Sequence, residues 1–272
     1  MKRGQASATT GAVEHFSTIA PQYNDLRTTD PEVVDFVTDV LPADRHLRVV
    51  DVGCGSGRYD IELLNRAGNR ISLTCLDFTL EMLRALDREL QGQGLGQYHT
   101  LRAAAHDLPF RDKHLDSVLT FNAIHHFDVS SFLRESARVL VPDGLLVIYT
   151  RTRSQNARNV WGRYFPRFAE KELRLFELRE LQGLLDTVPG LELETIQEFQ
   201  FERMASFDWL EEQARNHHYS TFALYEASEF DWAMRQFQRN LRRHFLDTDH
   251  ITWCDENTAL VVRKSVGTRR AS

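Results

Sequence analysis

Apolar and polar positions follow two rhythms over the first 150 residues. Pro31–Leu41 sets Val33, Val34, Phe36, Val37, Val40 and Leu41 at helical spacing. Leu47–Val52 is a short, nearly continuous apolar run, the pattern of a strand covered on both faces. Arg58–Ala67 returns to helical spacing, and Gly68-Asn69 closes it as a cap and turn. Ile71–Leu76 then predicts a second strand, and Leu80–Gln91 a helix that ends in the turn region of Gly92, Gly94 and Gly96. Tyr98–Ala103 predicts a third strand and Ser117–Phe121 a fourth. Ser130–Val141 predicts a helix stopped by Pro142-Asp143-Gly144, and Leu145–Tyr149 a fifth strand. Strands alternating with helices at this spacing predict a parallel sheet with right-handed crossovers and helices on both faces.

The texture changes past Thr150. Asn156–Phe168 interleaves Trp161, Tyr164, Phe165 and Phe168 with Arg163 and Arg167. Leu178–Thr187 has a helix pattern, Pro189-Gly190 turns the chain, and Leu191–Phe201 has strand character. Phe207–Phe245 is helix-rich, with Trp209, Leu210, Trp232, Met234, Phe237 and Leu241 at helical spacing. Two further strands are expected at Ile251–Cys254 and Thr258–Val262. The expected architecture is α/β: a Rossmann-like, mostly parallel seven-stranded sheet with an antiparallel final strand and a helical cap insertion. A single domain over 13–265 is expected, with 151–175 and 205–247 as cap segments. Residues 1–12 and 266–272 read as frayed ends.

Composition narrows the setting. A chain of 272 residues with 42% hydrophobic and 10% aromatic residues suits a globular protein with a sizeable core. A net charge of −6 argues against nucleic-acid binding through a broad basic surface. No apolar run approaches the roughly 18 residues of a membrane span. The three cysteines, Cys54, Cys75 and Cys254, have no metal-site spacing, so no metal is expected and a reducing cytoplasm is the expected setting.

The candidate chemistry starts at Asp51-Val52-Gly53-Cys54-Gly55-Ser56-Gly57. A strand feeds an acidic residue and three alternating glycines, and a helix begins at Arg58. Glycines let a ligand approach the backbone closely, and a helix N-terminus offers unpaired N–H groups. A nicotinamide oxidoreductase would place the third glycine one position later. Asp77 ends the second strand 20 residues after Gly57, where it either accepts both ribose hydroxyls of an adenosine or caps the next helix. Asn122-Ala123-Ile124-His125-His126 closes the fourth strand, at the same edge of the sheet. A histidine there either holds a proton near neutral pH or positions the loop.

The D-x-G-x-G-x-G run resembles motif I of the class I S-adenosylmethionine (SAM)-dependent methyltransferases. Ala105-His106-Asp107-Leu108-Pro109-Phe110 with Asp116-Ser117-Val118, Asn122–His126, and His15–Arg27 are similar to further stretches of the ubiquinone- and menaquinone-biosynthesis type within that family. The resemblance covers about Phe16–Arg151. It implies methyl transfer from SAM to an O, N, S or C atom of a small molecule, with S-adenosylhomocysteine as product. Cofactor contacts would come from Tyr23, Asp51, Gly53, Cys54, Gly55, Gly57, Asp77, Phe78, Ala105, His106, Asp107 and Asn122. Ala104 stands where the family usually has the Asp that meets the adenine. His126 or His125 would serve as base. Arg27, Arg151, Trp161, Tyr164, His217, His218 and Tyr219 would bind substrate. The expected partner is a small molecule, with no nucleic acid, and the protein is expected as a monomer or homodimer. Non-methyl SAM chemistry and a catalytically silent SAM-binding subunit are the alternatives.

Overall fold

The computed structural model describes residues 28–265. Tyr23, Arg27, the His15–Arg27 lead-in and both ends read as frayed lie outside the described residues. The chain divides into two compact units. The first has 28–150, 179–197 and 259–265 as its described part; the second has 151–178 and 198–258.

The first unit opens with α1 (Pro31–Val40), which buries Val33, Val34 and Val37. It continues with β1 (Leu47–Val52), α2 (Arg58–Ala67), β2 (Ile71–Asp77), α3 (Leu80–Gly92), β3 (Tyr98–Arg102), β4 (Leu115–Phe121), α4 (Val129–Val139) and β5 (Leu140–Thr150). The parallel pairs are β1 with β2, β2 with β3, β1 with β4 and β4 with β5. With β6 (Leu191–Ala205) and β7 (Ile251–Lys264) the sheet has seven strands in the order β3-β2-β1-β4-β5-β7-β6, the last two antiparallel. The order runs outward from β1 in one direction and from β4 in the other. The crevice at their carboxyl ends is therefore the topological switch point, where open α/β sheets bind ligands.

Two differences from the sequence pattern do more than shift the end of an element. The helix expected to Val141 stops at Val139, and the strand begins at once, at Leu140. Leu140 pairs with Leu115 and pairing resumes at Leu145 with Ser117, so Pro142-Asp143-Gly144 is an irregularity inside a strand. The second correction is at the C-terminal end, where the two expected strands are one, Ile251–Lys264. Asp255, Glu256 and Asn257 looked like a polar break. They are partnered instead: Asp255 by Arg151 and Arg203, Glu256 by Arg158, and Asn257 by Arg151.

In the second unit lie α5 (Arg153–Arg158), α6 (Val160–Tyr164), α7 (Phe168–Lys171), α9 (Phe207–Arg215) and α10 (Ala227–His244), while α8 (Leu178–Asp186) begins at its border. Its core is a cluster of rings. Trp161 lies 5.2 Å from Phe237 and 5.4 Å from Phe222, and Phe165 lies 5.1 Å from Phe222. Stacked and edge-to-face packing of this kind adds to the large area each ring buries.

Candidate functional site

The turn after β1 spans Gly53–Gly57, and its three glycines all have positive φ: 76°, 60° and 78°. They differ in what surrounds them. A Cβ on Gly53 would meet the Ala123 Cβ at 2.6 Å and the Phe127 ring at 2.9 Å. One on Gly57 would meet Leu86 Cδ1 of α3 at 1.8 Å. Beyond Gly55 there is nothing within 4 Å among the described residues. Gly53 and Gly57 therefore let the protein close on itself, and Gly55 leaves room for a ligand.

Four of the turn's five N–H groups are already in use. Gly53 and Cys54 both donate to the Leu76 carbonyl, at 2.7 and 3.1 Å, and Gly57 donates to the Cys54 carbonyl at 3.1 Å. Gly55 donates to the Asp77 carboxylate at 2.9 Å. A phosphate cradle works by presenting free N–H groups, so this turn is built for a ligand that needs close approach rather than phosphate binding. That separates it from a dinucleotide site on geometry as well as on spacing.

Asp77 ends β2 and joins the turn to the next element. Its Oδ2 accepts from Gly55 and its Oδ1 from the Thr79 N–H at 2.7 Å. Thr79, not Asp77, is the N-cap residue of α3. A carboxylate has about four lone-pair sites, so the bonds from Gly55 and Thr79 fix the orientation of Asp77 and leave acceptor capacity for a hydroxyl. Burial raises its carboxyl above the ordinary value, and the bonds from Thr79 and Gly55 work against that rise. Phe78 follows with 48% exposure, and the Arg102 guanidinium stands 5.7 Å from its ring.

Across the crevice, β4 ends at Phe121, and Asn122 takes φ of 53°. Asn tolerates this left-handed geometry better than most residues. Its N–H is held by the Tyr149 carbonyl at 2.7 Å, which turns the chain toward the glycine loop at Ala123. His125 and His126 follow in one 3₁₀ turn, both half-buried, with ring centroids 4.0 Å apart. Ala105, His106 and Asp107 sit in a tight turn closed by the Asp107 N–H on the Ala104 carbonyl, with His106 and Asp107 exposed. Leu108-Pro109-Phe110 is pinned from below. Arg138 of α4 donates to the Leu108 and Phe110 carbonyls, and Glu135 accepts from the Leu108 N–H.

The turn covers two acids. Asp51, at the end of β1, is 1% exposed, and Asp60, in the first turn of α2, is fully buried. Asp60 carries chemistry that the motif reading passed over. Its signal was a carboxylate four residues before Leu64 and seven before Ala67, on the apolar stripe of the helix.

The residues expected to bind substrate that the structure describes all lie in the second unit. Trp161 is buried in the aromatic core, and His218 packs on it at 4.9 Å while its Nδ1 meets the Gln213 carbonyl. Arg151 is buried in a network with Asp255 at 3.2 Å, Asn257 at 3.0 Å and the Tyr219 hydroxyl at 3.1 Å. Tyr164 is half-buried beside His244 and Phe245. Burial lowers the His217 imidazole below its ordinary value, which favours the neutral ring. No group of three or more His, Cys, Asp or Glu side chains among the described residues has the arrangement of a metal site. No described helix is long and apolar enough to cross a membrane.

Residues 50–148 match the family profile of the methyltransferase domain. A ubiquinone/menaquinone biosynthesis C-methyltransferase of Geotalea daltonii is 30% identical over 142 residues, covering 50% of this chain and 60% of that protein. A probable tRNA methyltransferase 9B of Homo sapiens is 27% identical over 150 residues, 53% of this chain and 30% of that one. The chain thus spans well under two thirds of these relatives. Among solved structures, the [4+2]-cyclase SpnF matches with a TM-score of 0.63 at 18% identity, over 94% of this chain and 96% of that one, a likeness of fold alone. Residues 50–148, at the heart of the first unit, are thus similar to a methyltransferase domain.

Proposed function

We propose that the protein transfers a methyl group from SAM to an O, N, S or C atom of a small organic molecule and releases S-adenosylhomocysteine. The observation that carries this is the junction of Gly55 and Asp77. An open, left-handed glycine donates its N–H to a carboxylate that keeps lone pairs for ribose hydroxyls, at the switch point of the sheet. When bound, SAM supplies an electrophilic methyl group on a sulfonium. The chain's own task is to orient the reactants and exclude water. Asp77 holds the ribose, the space beyond Gly55 admits the cofactor, and Asn122 borders the opposite side of the crevice. His126 or His125 takes the acceptor's proton where the acceptor has one to lose. Acceptor-binding groups are offered by Tyr164, His217 and Tyr219 of the second unit, whose rings keep exposed surface.

A small-molecule acceptor is favoured over tRNA by the net charge of −6, because a polyanion is held chiefly through cationic surface. The free thiols of Cys54, Cys75 and Cys254 fit a reducing cytoplasm. Calorimetric titration should give saturable heats with SAM and with S-adenosylhomocysteine, and Asp77→Ala should weaken both by at least about tenfold, the cost of losing one charge-assisted pair of bonds. Absence of heat for either ligand on folded protein would end the cofactor reading. Stoichiometric release of S-adenosylhomocysteine with a methylated acceptor separates methyl transfer from other SAM chemistry and from a silent subunit.

A further inference from the structure

Among the described residues, no cation pairs with the two acids beneath the glycine turn. Neither carboxyl oxygen of Asp60, nor Asp51 Oδ1, meets a partner of ordinary hydrogen-bond geometry there, and the polar groups acting on them are each other and the Cys75 thiol. Both side chains are essentially out of solvent. They lie against the turn itself, since a Cβ on Gly57 would stand 3.6 Å from Asp60 Oδ2. The groups facing the pair are the Cys75 thiol and Asp77 on β2 and the Cys54 thiol of the turn, with Asp87 of α3 acting on Cys75. Cys75 is the sheet neighbour of Asp51.

Two carboxyl groups in one dry pocket do not both ionise. Burial pushes both upward, Asp60 to about 7 and Asp51 well above the usual carboxylate range, and the repulsion between neighbouring acids adds to the rise of Asp51. Near neutral pH the pair therefore retains a proton. A positive charge nearby favours loss of that proton, and a neutral ligand does not.

We propose that Asp51 and Asp60 form a charge-reading element that helps the cofactor site discriminate the cationic sulfonium of SAM from the neutral thioether of S-adenosylhomocysteine. The inference rests on the SAM-binding function proposed above. When the sulfonium ligand binds, one carboxyl O–H of the pair ionises and its proton passes to solvent; no other bond changes. With the thioether bound, the pair keeps its proton. Affinity for SAM then rises with pH through the titration of the pair, while affinity for the product changes less. Each unit by which the ligand lowers the pair's pKa is a tenfold gain in the charged ligand's relative affinity.

The test is isothermal titration calorimetry of the whole chain in buffers of different ionisation enthalpy, which counts protons released. The ligands are SAM, S-adenosylhomocysteine, and sinefungin, which carries an amine in place of the sulfonium. At pH 7 SAM and sinefungin should each release about half a proton more than S-adenosylhomocysteine, and Asp60→Asn, nearly isosteric, should at least halve the difference, leaving what Asp51 alone supplies. Equal proton counts for all three in the wild type, or a difference undiminished in Asp60→Asn, overturns the proposal. If Asp60→Asn does not fold, the wild-type ratio of Kd values decides. The preference for SAM over S-adenosylhomocysteine should grow about tenfold between pH 5.5 and 7.5, and a flat ratio rejects the element. Failure of both natural ligands to bind folded protein would instead refute the cofactor function on which the proposal rests.

Discussion

The glycine turn of the first unit and the ring cluster of the second both need atoms at close quarters, and they reach that state in opposite ways. At the turn, three of the five residues have no side chain, four N–H groups are committed to neighbouring carbonyls and to Asp77, and Gly55 is left open. In the cluster, Trp161, Phe165, Phe168, Phe222 and Phe237 fill the space with their own rings. The difference teaches where binding energy and folding energy reside. A ligand site is a place the protein has declined to fill, whereas an aromatic-rich stretch is first of all a core. The variants that follow test that division, beginning with the largest effect.

Trp161→Ala removes a side chain that is 2% exposed and sits within 5.4 Å of Phe222, Phe237 and His218. Truncating a buried Trp of this kind costs about 3–5 kcal/mol, which urea unfolding should show as a lowered midpoint. SAM affinity of the protein that remains folded should change by less than about twofold, because Trp161 packs in the second unit's own core and not at the glycine turn. Intact stability together with a large loss of substrate turnover would break the comparison and make Trp161 the binding residue that the sequence reading took it for.

The second test lies within the turn. Gly57→Ala places a methyl against Leu86 in a left-handed conformation, and strain plus overpacking should cost about 2–4 kcal/mol of stability. Gly55→Ala meets the conformational cost alone, about 1–2 kcal/mol, since its Cβ would point into open space. The order reverses for the ligand. In the protein that stays folded, Gly55→Ala should weaken SAM by more than about tenfold, the size of a steric clash in a fitted site. Equal affinity for SAM in Gly55→Ala and wild type, read by calorimetry, would mean that the open position is not where the cofactor enters.

Much of this was legible in the sequence, and its failures have physical reasons. β1 and α2 start and end where their patterns place them, because a both-sided apolar run and a glycine turn are local signals. Val139 and the continuous β7 were missed because their boundaries depend on partners far along the chain: Leu115 for the β5 register, and Arg151, Arg158 and Arg203 for the polar middle of β7. The jobs of the three glycines were indistinguishable in one dimension. Only the positions of Leu86, Ala123 and Phe127 in space separate Gly53 and Gly57 from Gly55. Asp60 had a readable signal, an acid on an apolar stripe, but its meaning depends on Asp51 being buried beside it.

Asp60 also yields an effect that appears without any ligand. Its carboxyl is raised to about 7 in the folded protein, whereas in the unfolded chain it returns to the ordinary Asp range. Between those two values the folded state binds the extra proton, so stability falls as pH rises from about 4 to about 7 and levels off beyond. Well below pH 4, Asp60 is protonated in both states and adds no penalty. Asp60→Asn keeps the shape and removes the titration. Its melting temperature relative to wild type should therefore climb across that window and then hold. Part of the wild-type slope should remain in the variant, because burial also raises Asp51, which is freed of its acidic neighbour but is still dry. A melting-temperature difference independent of pH would show that Asp60 is ionised throughout, and the two acids beneath the glycine turn would then need a compensating charge from outside the described residues.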